Sequence, residues 1–268
     1  MLPYPHINPV IFKIGPFSVR WYGLMYVVSF FVCLYLCKYQ LKERGKEELI
    51  PFLENLMFYS FIGLVIGARI GFCFFYYPEY FLKHPLQIFA VWKGGMAFHG
   101  GLIGAILTGY YYVKKHKQSF LWWADLIVVT APVTLFFGRI GNFINGEIYG
   151  KCTNLPWGMV FPGAPPCPPN MPGRHPAQLY ECIVTGLFLF LFMWKLRKKN
   201  WPNGTKLAIF LIVYGILRFF FEFIRVPAQG FPLIFGWMTM GQVLCIGMII
   251  AGLILLYLVR KQFVQKYF

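Results

Sequence analysis

Apolar residues run along this chain in seven long stretches, separated by short polar segments. They fall at about Trp21–Cys37, Phe52–Tyr76, Gly94–Val113, Leu121–Phe143, Leu179–Trp194, Leu207–Ile224 and Met238–Val259. Crossing the hydrocarbon core of a bilayer takes roughly 20 apolar residues as an α-helix, and each stretch approaches that length. The pattern predicts an all-α polytopic membrane protein with seven transmembrane helices, read as a single integral-membrane domain over residues 1–268. Glycines at four-residue spacing (Gly63, Gly67, Gly71), and Gly100, Gly101 and Gly104 beyond them, suit helices that approach closely in lipid. Asn145–Gln178 carries Pro165-Pro166-Cys167-Pro168-Pro169 and cannot be a continuous helix. Tyr77–Lys93 is aromatic and proline-interrupted, and reads either as an amphipathic segment at the membrane interface or as an ordinary loop.

Composition agrees with lipid as the solvent. Only 13% of the 268 residues are charged, where a soluble domain carries about 25%. The formal net charge of +16 does not imply nucleic-acid binding, because the basic residues sit between apolar runs rather than on one polar face. Their placement sets the expected orientation. Fifteen fall on one side, around Lys38–Lys46, Lys114–Lys117, Lys195–Lys206 and Arg260–Lys266. Seven fall on the other: Lys13, Arg20, Lys83, Lys93, Lys151, Arg174 and Arg225. The richer side is expected to be cytoplasmic, which puts the N-terminus outside and the C-terminus inside. The first residues lack the basic region and cleavage site of a secretory signal peptide. Cys33, Cys37, Cys73 and Cys245 read as buried small hydrophobes. Cys152 and Cys167 can pair if their loop faces an oxidising compartment. No Cys/His spacing for a metal occurs.

An ionisable group inside a span costs at least about 2.5 kcal/mol at mid-bilayer, so each one needs a reason. With the orientation above, Arg69, His99, Arg139, Glu181, Arg218 and Glu222 all fall toward the outer ends of their spans, with Asn142, Asn145 and Glu147 just past Arg139. Glu54 and Asp125 lie near cytoplasmic ends, where snorkelling to water accounts for them. The one-sided set reads either as ion pairs locking helices together or as a polar cavity open to the outer leaflet. The arginine content suggests an anionic ligand, since guanidinium binds phosphate through bidentate, charge-assisted hydrogen bonds and stays charged when buried. A lipid phosphate held by Arg139 and Arg218 is the expectation from physics alone.

Serine elbow, zinc helix, P-loop and dinucleotide fingerprints are absent. The chain does contain Gly138-Arg139-Ile140-Gly141-Asn142-Phe143-Ile144-Asn145-Gly146-Glu147-Ile148-Tyr149-Gly150, which resembles the G-R-x-G-N-F-x-N-x-E-x-x-G motif of the prolipoprotein diacylglyceryl transferases at every fixed position. Segments Arg20–Tyr26, His99–Gly104, Arg174–Glu181 and Tyr214–Glu222 resemble that family in the same order. The resemblance implies a bacterial cytoplasmic-membrane enzyme that moves the diacylglyceryl group of phosphatidylglycerol to the lipobox cysteine of a preprolipoprotein signal peptide. It implies a thioether product, released glycerol phosphate and no cofactor or metal. The implied catalytic residues are His99, Arg139 and Arg218. Tyr22, Asn142, Asn145, Glu147, Gly150, Tyr214 and Glu222 are implied to bind substrate. His99 is either the base for the thiol, having the side chain that titrates nearest neutrality, or a positioning residue. Glu147 is expected to orient Arg139, and Glu222 to orient Arg218. Tyr22 and Tyr214 read either as phosphate donors or as aromatic-belt residues. Gly101 and Gly150 are expected where backbone or lipid approaches closely. A transporter or receptor with a static anion site is the alternative from another class, and the one-sided charges and lack of a repeat disfavour it.

Overall fold

Glycine faces decide how the second and fourth helices meet. The computed structural model describes residues 2–5, 7–15, 17–90, 94–226, 233–234 and 236–267, so Lys93 lies outside the described residues. A short antiparallel hairpin, β1 (Val10–Ile14) and β2 (Phe17–Arg20), leads into helices α1 (Trp21–Glu43), α2 (Ile50–Tyr76), α3 (Pro78–Lys83), α4 (Phe98–Lys115), α5 (Phe120–Val128) and α6 (Ala131–Ile144). A second two-stranded ladder, β3 (Cys152–Thr153) with β4 (Gly173–Arg174), precedes α7 (Ala177–Glu181), a π-helical stretch Cys182–Phe188, α8 (Leu189–Leu196), α9 (Thr205–Phe221) and α10 (Met240–Tyr267). Contacts divide the chain into two units, residues 37–123 and residues 1–36 with 124–268.

In the unit of residues 37–123, α2 packs on α4 through backbone. A Cβ on Gly67 would stand 2.9 Å from Gly104 Cα, and one on Gly71 would stand 2.9 Å from Gly100 Cα. Gly101 belongs to the same seam, facing Ala68 and Leu64. Phe52 stacks on Trp123 at 4.8 Å, and Lys38 pairs with Glu54. The described part of the expected Tyr77–Lys93 segment, Tyr77–Ala90, is a short helix followed by a 3-10 turn at Pro85–Phe89, as its two prolines at turn starts allow. Arg69, buried on α2, straps that region down. Its Nε donates to Ile88 O at 2.8 Å, Nη2 to Gln87 O at 2.7 Å, and Nη1 to Gly94 O at 2.6 Å and Gly95 O at 3.1 Å. Arg69 is therefore engaged with carbonyls rather than free for an anion, which corrects its place among the expected ligand-facing charges.

In the other unit, the fourth apolar run is not one straight helix. It breaks at Val129–Thr130 and resumes at Ala131, with α5 and α6 bent by 46°. Pro132 in the first turn of α6 explains the break, since its ring is tolerated only where no intrahelical N–H is needed. Val128, Val129, Leu189 and Met193 form a buried apolar cluster against α9. Asp125 is also corrected. It is buried, and its two oxygens accept the Gly204 and Leu207 N–H groups at 2.9 and 2.8 Å, so it caps α9 rather than reaching for water. α10 begins with a capping box, Thr239 and Gln242 exchanging side-chain-to-backbone bonds at 3.0 and 3.2 Å.

The expected non-helical stretch runs from Asn145 to Pro176, as its prolines require, and Ala177 and Gln178 already belong to α7. Cys152 and Cys167 form a disulfide with Cα atoms 5.8 Å apart, and a bridge joins Gly150 to Arg225. Among the described residues, four helices are long and apolar enough to cross a membrane: Trp21–Glu43, Glu47–Tyr76, Ala177–Leu196 and Met240–Gln262. The bent α5–α6 pair makes a fifth if it is one span. α4 and α9 are helical as expected but only 18 and 17 residues long. Large apolar side chains lie outward on α10, where Leu253, Ile254, Tyr257 and Leu258 are all exposed. Exposed apolar faces of this length mark a helix solvated by lipid.

Candidate active site

Glu181 at the end of α7 is fully buried, and three arginines surround its carboxylate. Arg139 Nη2, from α6, stands 2.7 Å from Oε2; Arg218 Nε, from α9, 4.0 Å from Oε2; and Arg225 Nε, just beyond α9, 3.8 Å from Oε1. Among the described residues neither Glu181 oxygen accepts a hydrogen bond of good geometry, so charge rather than directed bonding holds the group. Glu222 closes the other side: Arg218 Nη1 donates to its Oε2 at 2.6 Å, and Arg225 Nη1 lies 3.9 Å away. Gly241 makes room for this carboxylate, because a Cβ there would lie 2.7 Å from Glu222 Oε1. Three guanidiniums thus face two carboxylates, leaving one positive charge for an incoming anion.

The local folding that builds this cluster is simple. Arg218 and Glu222 are four residues apart and share a helix face. Glu181 sits where α7 passes into the π stretch. There a Cβ on Gly186 would lie 2.8 Å from Phe136 Cα, and the glycine lets α6 come close enough for Arg139 to reach. Glu147 does not touch Arg139. Its link runs through an amide: Arg139 Nη1 donates to Asn142 Oδ1 at 3.1 Å, and Asn142 Nδ2 donates to Glu147 Oε1 at 2.9 Å. Asn145 Nδ2 adds a second bond to the same oxygen at 3.2 Å, and Gln178 Nε2 holds the Glu147 carbonyl at 2.7 Å. The carboxylate beside Arg139 is Glu181, and Glu147, expected to orient Arg139, is linked to it only through Asn142.

Tyr22, Asn142, Asn145 and Glu147 line one open cavity of about 580 Å³, together with Ser18, Arg20, Gly23 and Ile148. Tyr22 Oη shares a hydrogen bond with Tyr26 Oη at 3.0 Å. Gly141 accommodates the Tyr22 ring, since a Cβ there would lie 2.9 Å from its Cδ2. Ile148 has φ +62°, a left-handed conformation that a β-branched residue adopts only under strain. Gly150 is not at the cavity. It is buried where two segments cross: its N–H donates to His175 O at 2.9 Å, and a Cβ would meet His175 Cβ at 2.6 Å. Arg174 ties that crossing together, donating to Gly150 O at 3.3 Å and Pro165 O at 2.9 Å, with its guanidinium 4.9 Å from the Tyr149 ring. Burial holds the neighbouring His175 imidazole below its ordinary pKa. Tyr214 stacks on Phe210 at 5.5 Å and lies within the electrostatic field of Arg139, Arg218 and Glu181.

His99 lies in the first turn of α4, exposed within the unit of residues 37–123, beside Phe98. Arg225 was expected to be an ordinary loop charge. Its spacing was the missed signal, because positions 218, 222 and 225 follow the i, i+4, i+7 rule of one helical face. No group of three or more metal-ligating side chains gathers among the described residues.

A family model described as prolipoprotein diacylglyceryl transferase matches residues 9–258. A phosphatidylglycerol–prolipoprotein diacylglyceryl transferase of Nitratidesulfovibrio vulgaris (strain DP4) is 44% identical over 257 residues, covering 96% of each chain. One from Coxiella burnetii (strain RSA 331 / Henzerling II) is 44% identical over 253 residues, 94% of this chain and 95% of that protein. A third, from Pseudomonas paraeruginosa (strain DSM 24068 / PA7), is 42% identical over 257 residues, 96% of this chain and 95% of that protein.

Proposed function

The chain belongs to the prolipoprotein diacylglyceryl transferase family, and on that premise we propose that it transfers the diacylglyceryl group of phosphatidylglycerol to the lipobox cysteine thiol of preprolipoproteins. The thiolate sulfur attacks the glyceryl carbon that bears the phosphate. The C–S bond forms, the C–O bond breaks, and glycerol phosphate departs with the electron pair. The observation that carries this reading is the surplus of one positive charge at Arg139, Arg218 and Arg225 around two buried carboxylates. A preorganised positive field in a dry site stabilises charge gathering on a departing phosphate without reorganising at the moment of reaction. Arg139 and Arg218 take that task. Glu181 and Glu222 hold the guanidiniums in place, and Asn142 carries the alignment on to Glu147.

The thiol, with an ordinary pKa of about 8.5, must lose its proton to react at neutral pH. His99 is assigned to this step, as base or as the group that orients the substrate. Tyr22, Asn145, Glu147, Tyr214 and the loop around Gly150 are assigned to substrate binding. Seven spans with the N-terminus outside complete the reading, and loop charge supports it. The disulfide supports an oxidising compartment for the Asn145–Gln178 loop. The site then opens toward the outer leaflet of a bacterial cytoplasmic membrane. The family match runs through both units, which supports a single catalytic domain over residues 1–268.

The test is to incubate the purified, folded protein with phosphatidylglycerol and a lipobox peptide. The thioether peptide and free glycerol phosphate are expected in equal amounts. Absence of both defeats the proposal.

A further inference from the structure

Helix α6 ends on a turn with the hydrogen bonds of a Schellman cap. The Glu147 N–H donates to Asn142 O at 3.1 Å and the Gly146 N–H to Phe143 O at 3.0 Å, with Gly146 in the left-handed region at φ +68°. Such a cap often closes with an apolar contact between the two residues at its ends. Here those residues are Asn142 and Glu147, and an amide-to-carboxylate bond of 2.9 Å stands in place of the contact. The turn thus carries functional groups where it would ordinarily carry its own packing.

The packing comes instead from the segment ahead of the first hairpin. Leu2 pairs with Met159, and its N–H donates to Gly158 O at 3.2 Å. Tyr4 is buried, with its ring centroid 5.4 Å from that of Phe143 and 5.1 Å from that of Phe161. Its hydroxyl donates to Phe143 O at 2.6 Å, with Ile144 O at 3.2 Å as the second acceptor. A helix leaves its last carbonyls without intrahelical donors, and Tyr4 supplies one from outside α6. Gly146 fits between Tyr4 and Pro162: a Cβ there would lie 3.4 Å from Tyr4 Oη and 3.1 Å from Pro162 Cγ.

We propose that Tyr4 is a positioning residue for the transfer reaction, acting through Asn142 and Glu147. The inference rests on the function proposed above. By clamping the turn, Tyr4 holds Glu147 where it receives the Asn142 and Asn145 amides, and Asn142 in turn holds Arg139. Phe143 O keeps its Gly146 donor without Tyr4, so α6 survives loss of the hydroxyl while the turn loses its fixed angle.

The experiment measures turnover of phosphatidylglycerol and a lipobox peptide by the full-length protein in lipid vesicles. Tyr4→Phe removes only the hydroxyl, whereas Phe161→Leu loosens the same apolar cluster and leaves the hydroxyl in place. Tyr4→Phe is expected to lower kcat/KM for phosphatidylglycerol about three- to tenfold, the worth of one neutral hydrogen bond, with the peptide KM unchanged. Phe161→Leu is expected to lower the thermal unfolding midpoint further than Tyr4→Phe does, yet to keep the wild-type kcat/KM for the lipid. Tyr4→Phe with wild-type kinetics, a matching rise in the peptide KM, or an equal kinetic loss in Phe161→Leu each overturns the positioning role. Failure of Tyr4→Phe to fold overturns it too, because a clamp on one turn does not carry the whole fold. Wild-type protein that forms no product defeats the proposed function, and this inference falls with it.

Discussion

Arg139 and Glu181 meet at 2.7 Å across α6 and α7, with the Glu181 carboxylate wholly removed from solvent and two further arginines within 4.0 Å. Each carboxylate in this cluster answers more than one guanidinium, so removing either acid leaves like charges facing one another in a buried place.

Replacing Glu181 by Ala is expected to destabilise the protein by about 3–5 kcal/mol, the usual cost of stripping one partner from a buried ion cluster. Glu181→Gln, which keeps the shape, is expected to lose less. Thermal unfolding in detergent measures both, and an unchanged midpoint for the alanine variant contradicts the structural role.

Asn142→Ala cuts the relay between Arg139 and Glu147. Losing a hydrogen bond to a charged group is worth about 1.5–3 kcal/mol, or roughly a 10- to 100-fold fall in kcat/KM. Stability should change less than in the Glu181 variants, because Arg139 keeps its ion pair. Equal losses of stability in both would argue against a relay.

The disulfide closes a loop between Cys152 and Cys167, which are 15 positions apart in sequence. Chain-entropy arguments give such a loop about 3 kcal/mol. Reduction, or Cys152→Ser with Cys167→Ser, is expected to speed proteolysis within residues 152–167 while the helices stay protected. Cleavage at the wild-type rate would show that Arg174 and the β3–β4 ladder hold the loop unaided.

His175 supplies a pH dependence with a defined sign. Its folded pKa lies below the unfolded value of about 6.5, because burial disfavours the cation. Above pH 6.5 both states are neutral and the group contributes nothing. Below it the unfolded chain binds the extra proton, so stability falls as pH drops through and below 6.5. Unfolding midpoints between pH 5 and 7.5 should fall on acidification, and less so in His175→Asn.

Gly104→Leu places a side chain against the α2 backbone, where a Cβ would already stand 3.0 Å from Gly67 Cα. Backbone cannot yield as a flexible side chain does, so overpacking is expected to cost about 1–3 kcal/mol or more. Gly247, on α10, has open space around its Cβ position and is the matched control.

The sequence by itself determined that the chain is mostly helical and apolar enough for a membrane, though not where the fourth run breaks. Apolar runs of span length have few alternatives in lipid, where backbone groups must bond within their own segment. The 138–150 motif places Arg139, Asn142, Asn145 and Glu147 close together along the chain, and the i, i+4 spacing pairs Arg218 with Glu222. What it could not decide was pairing between elements distant along the chain. The one-sided charges left open which acid stands beside Arg139, and the close packing of Gly186 on α6 brings Glu181 there, 42 positions along the chain from Arg139. Arg69 and Asp125 were legible as buried charges, but their use on carbonyls and amide groups depends on which backbone ends point at them. Local pattern follows from the solvent around each segment. Which charge meets which depends on distances set only when the helices pack.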